Sequence, residues 1–159
     1  MTKIGIEAIQ IPGGLFNEAS FRRMLSNVRT ARAKDIKVDF DTTTQTWNKR
    51  PEVQIKLIGD AEAEIFITDD RYTFVNDGTR PHPILPRVAS RLVFQANYRA
   101  KTVVGTIGSQ AGGKYGPTVY SLGVQHPGTK ARKFDQLIAD KWNALLPGII
   151  DRAILAELG

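Results

Sequence analysis

The chain contains no cysteine, which removes disulfides, thiolate metal sites and cysteine nucleophiles together. Histidine is scarce as well, so imidazole chemistry is confined to His82 and His126. Long apolar runs are missing: nothing approaches the roughly 20 residues that cross a bilayer. The start Met1-Thr2-Lys3-Ile4-Gly5 lacks the apolar centre of a secretory signal. No membrane partner is expected, and the expected place of synthesis and retention is the cytoplasm. There is also no linker, low-complexity tail or domain-scale repeat. At 159 residues the reading is a single domain over 1–159, long enough for a hydrophobic core.

What is present in excess is positive charge. Twenty-two Lys and Arg against sixteen Asp and Glu give +6 and a pI near 9.7, which suits an acidic partner such as nucleic acid. The cations are scattered, from Arg22, Arg23, Arg29 and Arg32 through Arg99, Lys101 and Lys114 to Lys130, Arg132 and Lys133, with no dense tract. Solvated faces or charged subunit contacts are the favoured reading, and direct DNA contact is the second.

Periodicity divides the chain into an α+β order. Residues 1–16 read as an extended segment ending in Pro12-Gly13-Gly14. Asn17 is a predicted N-cap, and Phe21, Met24, Leu25, Val28 and Ala31 recur at helical spacing over 17–33. From Ile36 the period becomes two: Ile36, Val38 and Phe40, then Val53, Ile55 and Leu57, then 64–68 and 72–75 predict strands, with Asp69-Asp70 read as a turn. Further strands are expected at 90–98, 101–107 and 118–124, the last two flanking a mobile glycine-rich loop at 105–117. A last helix should start near Ala131 and be kinked or broken at Pro147-Gly148. The expected architecture is a mainly antiparallel sheet of about five or six strands covered by the N-terminal and C-terminal helices.

No constellation for catalysis assembles. Gly108 to Lys114 satisfies the glycine and lysine spacing of a phosphate loop, but Tyr115 replaces the hydroxyl ligand and Gly116-Pro117 leads away from a helix. His82 and His126 with Asp77 could be imagined around zinc, yet their separation of 44 residues shows no ligand spacing. Ser109 and Ser121 lack a nucleophile-elbow motif. The expectation is no enzyme, no cofactor and no metal. Trp142 reads as core, whereas Trp47, after the polar stretch 42–46, reads as a partly exposed anchor.

Two short segments carry the most information. Val75 to Ile84 and Val124 to Arg132 each place Gly-Thr-basic and His-Pro in one loop, where Gly78 and Gly128 permit positive φ and Pro81, Pro83 and Pro127 stiffen the chain. With a Leu-Val-Phe strand between them and a terminal helix after them, they resemble the tail-completion and head-tail joining (neck, tail terminator-like) proteins of long-tailed bacteriophages. The resemblance runs from about Tyr72 to the C-terminus, and Arg80 and Pro83 depart from its pattern.

The resemblance implies a non-enzymatic structural protein of the virion. It would be assembled in the host cytoplasm and located in the tail or neck, as a homo-oligomeric ring of about six subunits. Its partners would be itself, the tail tube protein and a head-tail connector or stopper protein, with contact to packaged DNA left open by the charge. The contact residues implied are Asn76, Gly78, Thr79, His82 and Ile84 in the first loop and His126, Pro127, Gly128 and Thr129 in the second. Lys114 and Tyr115, on the glycine-rich loop, are candidate docking groups from their chemistry alone. Gly78→Val and Gly128→Val are expected to harm assembly more than a surface change such as Lys101→Ala. The alternative reading is a small basic nucleic-acid-binding or nuclease-like protein.

Overall fold

A computed structural model of the chain describes residues 17–158, so the expected extended segment at 1–16 lies outside the described residues. In chain order the elements are α1 (Glu18–Thr44), β1 (Gln54–Ile58), β2 (Glu62–Phe66), α2 (Asp70–Asn76), β3 (His82–Ile84), β4 (Leu92–Arg99), β5 (Gly113–Ser121), β6 (Val124–His126) and α3 (Phe134–Leu158). The class is α+β, but the expected single sheet is replaced by three antiparallel two-stranded ribbons, β1-β2, β3-β6 and β4-β5. The described residues fall into two compact units: one takes those up to Asp41 with Glu52–Ile67 and those from Asp135, the other Thr42–Pro51 and Thr68–Phe134.

In the first unit, α1 continues through the residues expected to form a strand. Asn17 caps it, its Oδ1 accepting from the Ala19 amide at 3.0 Å. Ile36 and Phe40 do alternate with polar residues, but they also stand four apart, and with Ala33 they make one buried helical stripe while Val38 is exposed. Only burial of a third residue distinguishes the two periods here, and Val38 fails to bury. On α3, Ile138, Ala139, Trp142 and Leu146 repeat at the same spacing and supply the rest of this core with Val53. Asp39 ties the two helices together: its Oδ2 accepts from Trp142 Nε1 and from Lys141 Nζ, each at 2.7 Å. The helix α3 is not broken at Pro147-Gly148 but runs through them. Proline there removes one hydrogen bond, and the apolar residues on both sides keep the element whole.

The β1-β2 turn engages two of the arginines that the sequence reads as solvated faces or charged subunit contacts. Arg22 Nη1 donates to Asp60 at 3.2 Å, and Arg29, two helical turns further on, donates to the Gly59 carbonyl and to Ser26 Oγ. Arg29 is buried by this grip.

In the second unit, residues 72–75 are helix rather than strand. Asp69 is the N-cap of α2: its Oδ1 accepts from the Arg71 amide at 2.8 Å, and its carboxylate also pairs with the Arg71 guanidinium. That side-chain hydrogen bond from Arg71, helped by the Arg71 and Tyr72 amides and opposed by burial, holds the carboxyl down to about 2. The folded value is depressed, so the stabilisation is full above the unfolded value of about 3.9 and is lost as pH falls through about 2. Asp69→Ala should cost about 1 kcal/mol through the cap. Asp69→Asn should keep the cap but flatten the stability profile between about pH 4 and pH 2, as read by denaturant titration across that range.

The ribbon β4-β5 pairs Leu92 with Ser121 through Gln95 with Thr118, then slips by one residue before pairing Asn97 with Tyr115. The extra residue falls at Gly116-Pro117, where Gly116 has φ +91 and Pro117 has no amide hydrogen to pair. The strand expected at 101–107 does not form. Of the glycine-rich segment at 105–117, the part from Gly113 onwards is strand, and residues 108–110 make hydrogen bonds to other segments. Gly108 N donates to Thr43 Oγ1 at 3.2 Å, Ser109 Oγ to the Thr42 carbonyl at 3.0 Å, and Gln110 N to the Lys101 carbonyl at 2.8 Å.

Candidate functional site

The two Gly-Thr and His-Pro segments, some 50 residues apart in the chain, pair with each other. Thr79 and Thr129 exchange backbone hydrogen bonds at 2.9 and 3.1 Å, and the Thr129 amide is also within 2.9 Å of Thr79 Oγ1. Three residues along on both strands, His82 stands opposite His126, followed by Pro83 with Gln125 and Ile84 with Val124. A single register therefore runs through the whole pairing and sets Pro81 opposite Pro127. Neither proline has an N–H, so the ladder is interrupted there and resumes beyond. The two segments thus form one antiparallel platform and not two independent loops.

Both glycines are dictated by this closeness. Gly78 has φ +79, and a Cβ on it would lie 2.6 Å from the Thr129 carbonyl oxygen; Gly128 has φ +87, and its Cβ would lie 2.2 Å from the Thr79 carbonyl oxygen. Gly78 has a second duty. It follows the C-cap Asp77 of α2, the position where a left-handed residue ends a helix. Asn76, buried just before it, acts through its main chain: its carbonyl accepts from the Arg132 and Lys133 amides at 3.0 and 2.9 Å. The free carbonyl end of α2 is thereby satisfied by the segment that follows Thr129.

The histidines face each other, ring centroids 5.0 Å apart. His82 Nδ1 lies 2.8 Å from the Arg80 carbonyl and so donates to it, while His126 Nδ1 accepts from the Gly128 amide at 3.0 Å. The two rings thus use Nδ1 in opposite senses, as donor on His82 and as acceptor on His126. Each ring fastens its own loop through Nδ1. Among the described residues no three of His, Asp and Glu gather as metal ligands.

Beside this platform, within the same unit, opens a cleft of about 750 Å³. Its wall includes Thr129 and Arg132 from the platform side, Tyr98 and Lys114 from the β4-β5 ribbon, and Trp47 and Lys49 from the turn after α1. Tyr98 and Lys114 are directly opposite each other in the ribbon. Lys114 and Tyr115, expected to act together, are separated by strand alternation: Lys114 lines the cleft and Tyr115 does not. Gly113-Lys114 begins a strand instead of a helix, so the phosphate-loop spacing has no helix N-terminus behind it. Lys101 is no surface control either. Its Nζ donates to the Thr46 carbonyl and Asn48 Oδ1, each at 2.6 Å, and so fixes the turn that carries Trp47.

Of the residues singled out by resemblance, Gly78, Thr79, His82, Ile84, His126, Pro127, Gly128 and Thr129 are thus brought into one pairing, with Asn76 supporting it from below. Lys49, Tyr98, Lys101 and Arg132 were missed as members of a site. Nothing in their local sequence marks them, because they meet only through the fold. Comparison with protein-family models, with curated proteins and with solved structures finds no match to this chain.

Proposed function

We propose that the chain is a non-enzymatic structural subunit of a bacteriophage virion, forming a closed ring at the head-proximal end of the tail and joining the tail tube to the head connector. The observation that carries this reading is the common register of the two loops on which the resemblance to neck proteins rests. The two segments that carry the resemblance are paired in one platform, which suits a contact surface repeated around a ring.

The apolar surface supports the same reading. Ile84 and Leu85 on one arm of the platform and Leu122 just before the other are exposed, with Leu85 against Gly123, and Val88 is fully exposed. On the β4-β5 ribbon, Val93 and Tyr120 are directly opposed and exposed at 59% and 65%. A two-stranded ribbon is marginal alone in water, and its open edges and apolar pairs are stabilised when a neighbouring subunit covers them.

In native mass spectrometry and negative-stain imaging with tail tubes, the protein should close into a ring of about six copies. The double variant Leu85→Asp, Leu122→Asp should keep the monomer's circular dichroism and lose the ring. One copy per virion, an open filament, or rings formed at normal yield by the double variant would refute the reading.

A further inference from the structure

Some cations of the described chain are paired with carboxylates and many are not; the cleft differs in that four unpaired ones line a single cavity. Arg22 pairs with Glu18 and Asp60, Arg32 with Asp35, Lys37 with Asp41, and Lys141 with Asp39. In the cleft wall only Arg71 has such a partner, Asp69. Lys49, Lys101, Lys114 and Arg132 have no carboxylate partner among the described residues, and no acidic residue of that set lines the cleft. Arg132 Nε is fully buried and without an acceptor, a state that buried donors rarely keep.

Four cations facing one cavity repel each other, and an anionic ligand removes that cost. The aromatic groups narrow the choice of anion. Trp47 is half-buried in the wall, and Tyr98, 63% exposed, stands opposite Lys114. Flat aromatic faces interleaved with cations are the arrangement that holds unpaired bases by stacking while the cations follow the phosphates. A duplex stacks its bases inward and cannot offer them to a concave wall, and an acidic peptide would use the cations but has no need of the aromatic faces. We infer that this cleft is a binding site for single-stranded nucleic acid, with phosphates on Lys49, Lys101, Lys114 and Arg132 and a base against Trp47 or Tyr98. The site is independent of the ring reading, since every residue in it belongs to one unit of one subunit.

The test is fluorescence anisotropy of the full chain with a labelled oligothymidylate of about twelve nucleotides, titrated at several salt concentrations. Saturable binding should weaken with salt, with a logarithmic slope near −2 to −3 for about three or four phosphate contacts. The double variant Lys49→Ala, Lys114→Ala, which removes two exposed cations without partners, should reduce that slope by about 1.4. Trp47→Leu should weaken binding about tenfold and leave the slope unchanged, and Tyr98→Ala, on an exposed strand position, repeats this test if the Trp47 variant loses its circular dichroism. Absence of saturable binding overturns the proposal. So does equal affinity for a duplex of the same length or for polyglutamate, an unaltered slope in the lysine variant, or unaltered affinity in the folded aromatic variants.

Discussion

Replacing Gly128 by alanine should destabilise the protein by about 3–4 kcal/mol, whereas the same replacement at Gly105 should cost only about 1 kcal/mol. Both residues have positive φ, +87 and +79, so the backbone penalty for adding a Cβ is common to both. What differs is the space. The Gly105 Cβ would meet nothing within 4 Å, but that of Gly128 would lie 2.2 Å from the Thr79 carbonyl oxygen and 2.9 Å from the Arg80 carbonyl carbon. Backbone cannot swing aside as a side chain does, so the arms of the platform must part. The hydrogen bonds between Thr79 and Thr129 are then lost, at about 1 kcal/mol each. Thermal unfolding should fall by roughly 6–16 °C for Gly128→Ala, and amide exchange at Thr79 and Thr129 should accelerate. Equal losses at the two glycines would show that close approach contributes nothing.

That comparison replaces the one available from sequence, where Lys101 served as an indifferent surface position. The reason is general to this chain. Positive φ is legible from a Gly-Thr or Asp-Gly context, and so Gly78 and Gly128 stood out. The partner of a long side chain is not legible, and Lys101 reaches back 55 residues to the Thr46 carbonyl. Lys49, Tyr98 and Arg132 were hidden in the same way.

Among the elements, the β1-β2 hairpin and the apolar stripe of α3 could be read from spacing because a single period fitted each. The segments 36–40 and 72–75 could not, since Ile36 and Phe40 fit both periods and four residues are too few to separate them. A longer reading frame would have recovered α2: Asp69 as N-cap and Gly78 after the C-cap bracket a helix of 7 residues. The pairing of the two platform loops also left a trace. Their motifs run in opposite directions along the chain, Gly-Thr before His-Pro in the first and after it in the second, as an antiparallel pairing needs.

Phe134→Ala should be the most damaging single change in the unit that holds the platform and the cleft, at about 3–5 kcal/mol. Phe134 is 0% exposed, and its ring lies 6.0 Å from that of the buried Tyr72, tilted at 42°. Few other large apolar side chains in that unit are buried, so a cavity here has little around it to collapse inward. The position also anchors the strap from Thr129 to α2. Just before it, Lys133 is held at φ 55, an unfavourable conformation for a residue with a Cβ, while its amide bonds the Asn76 carbonyl. Burial of Phe134 offsets that strain and keeps Arg132 in the cleft wall. In chemical denaturation Phe134→Leu should lose only about 1–2 kcal/mol, and Val88→Ala, at a fully exposed site, less than about 0.5. Faster exchange at the Arg132 and Lys133 amides should accompany the alanine variant. Retention of their protection together with a loss below about 1 kcal/mol would remove Phe134 from this role.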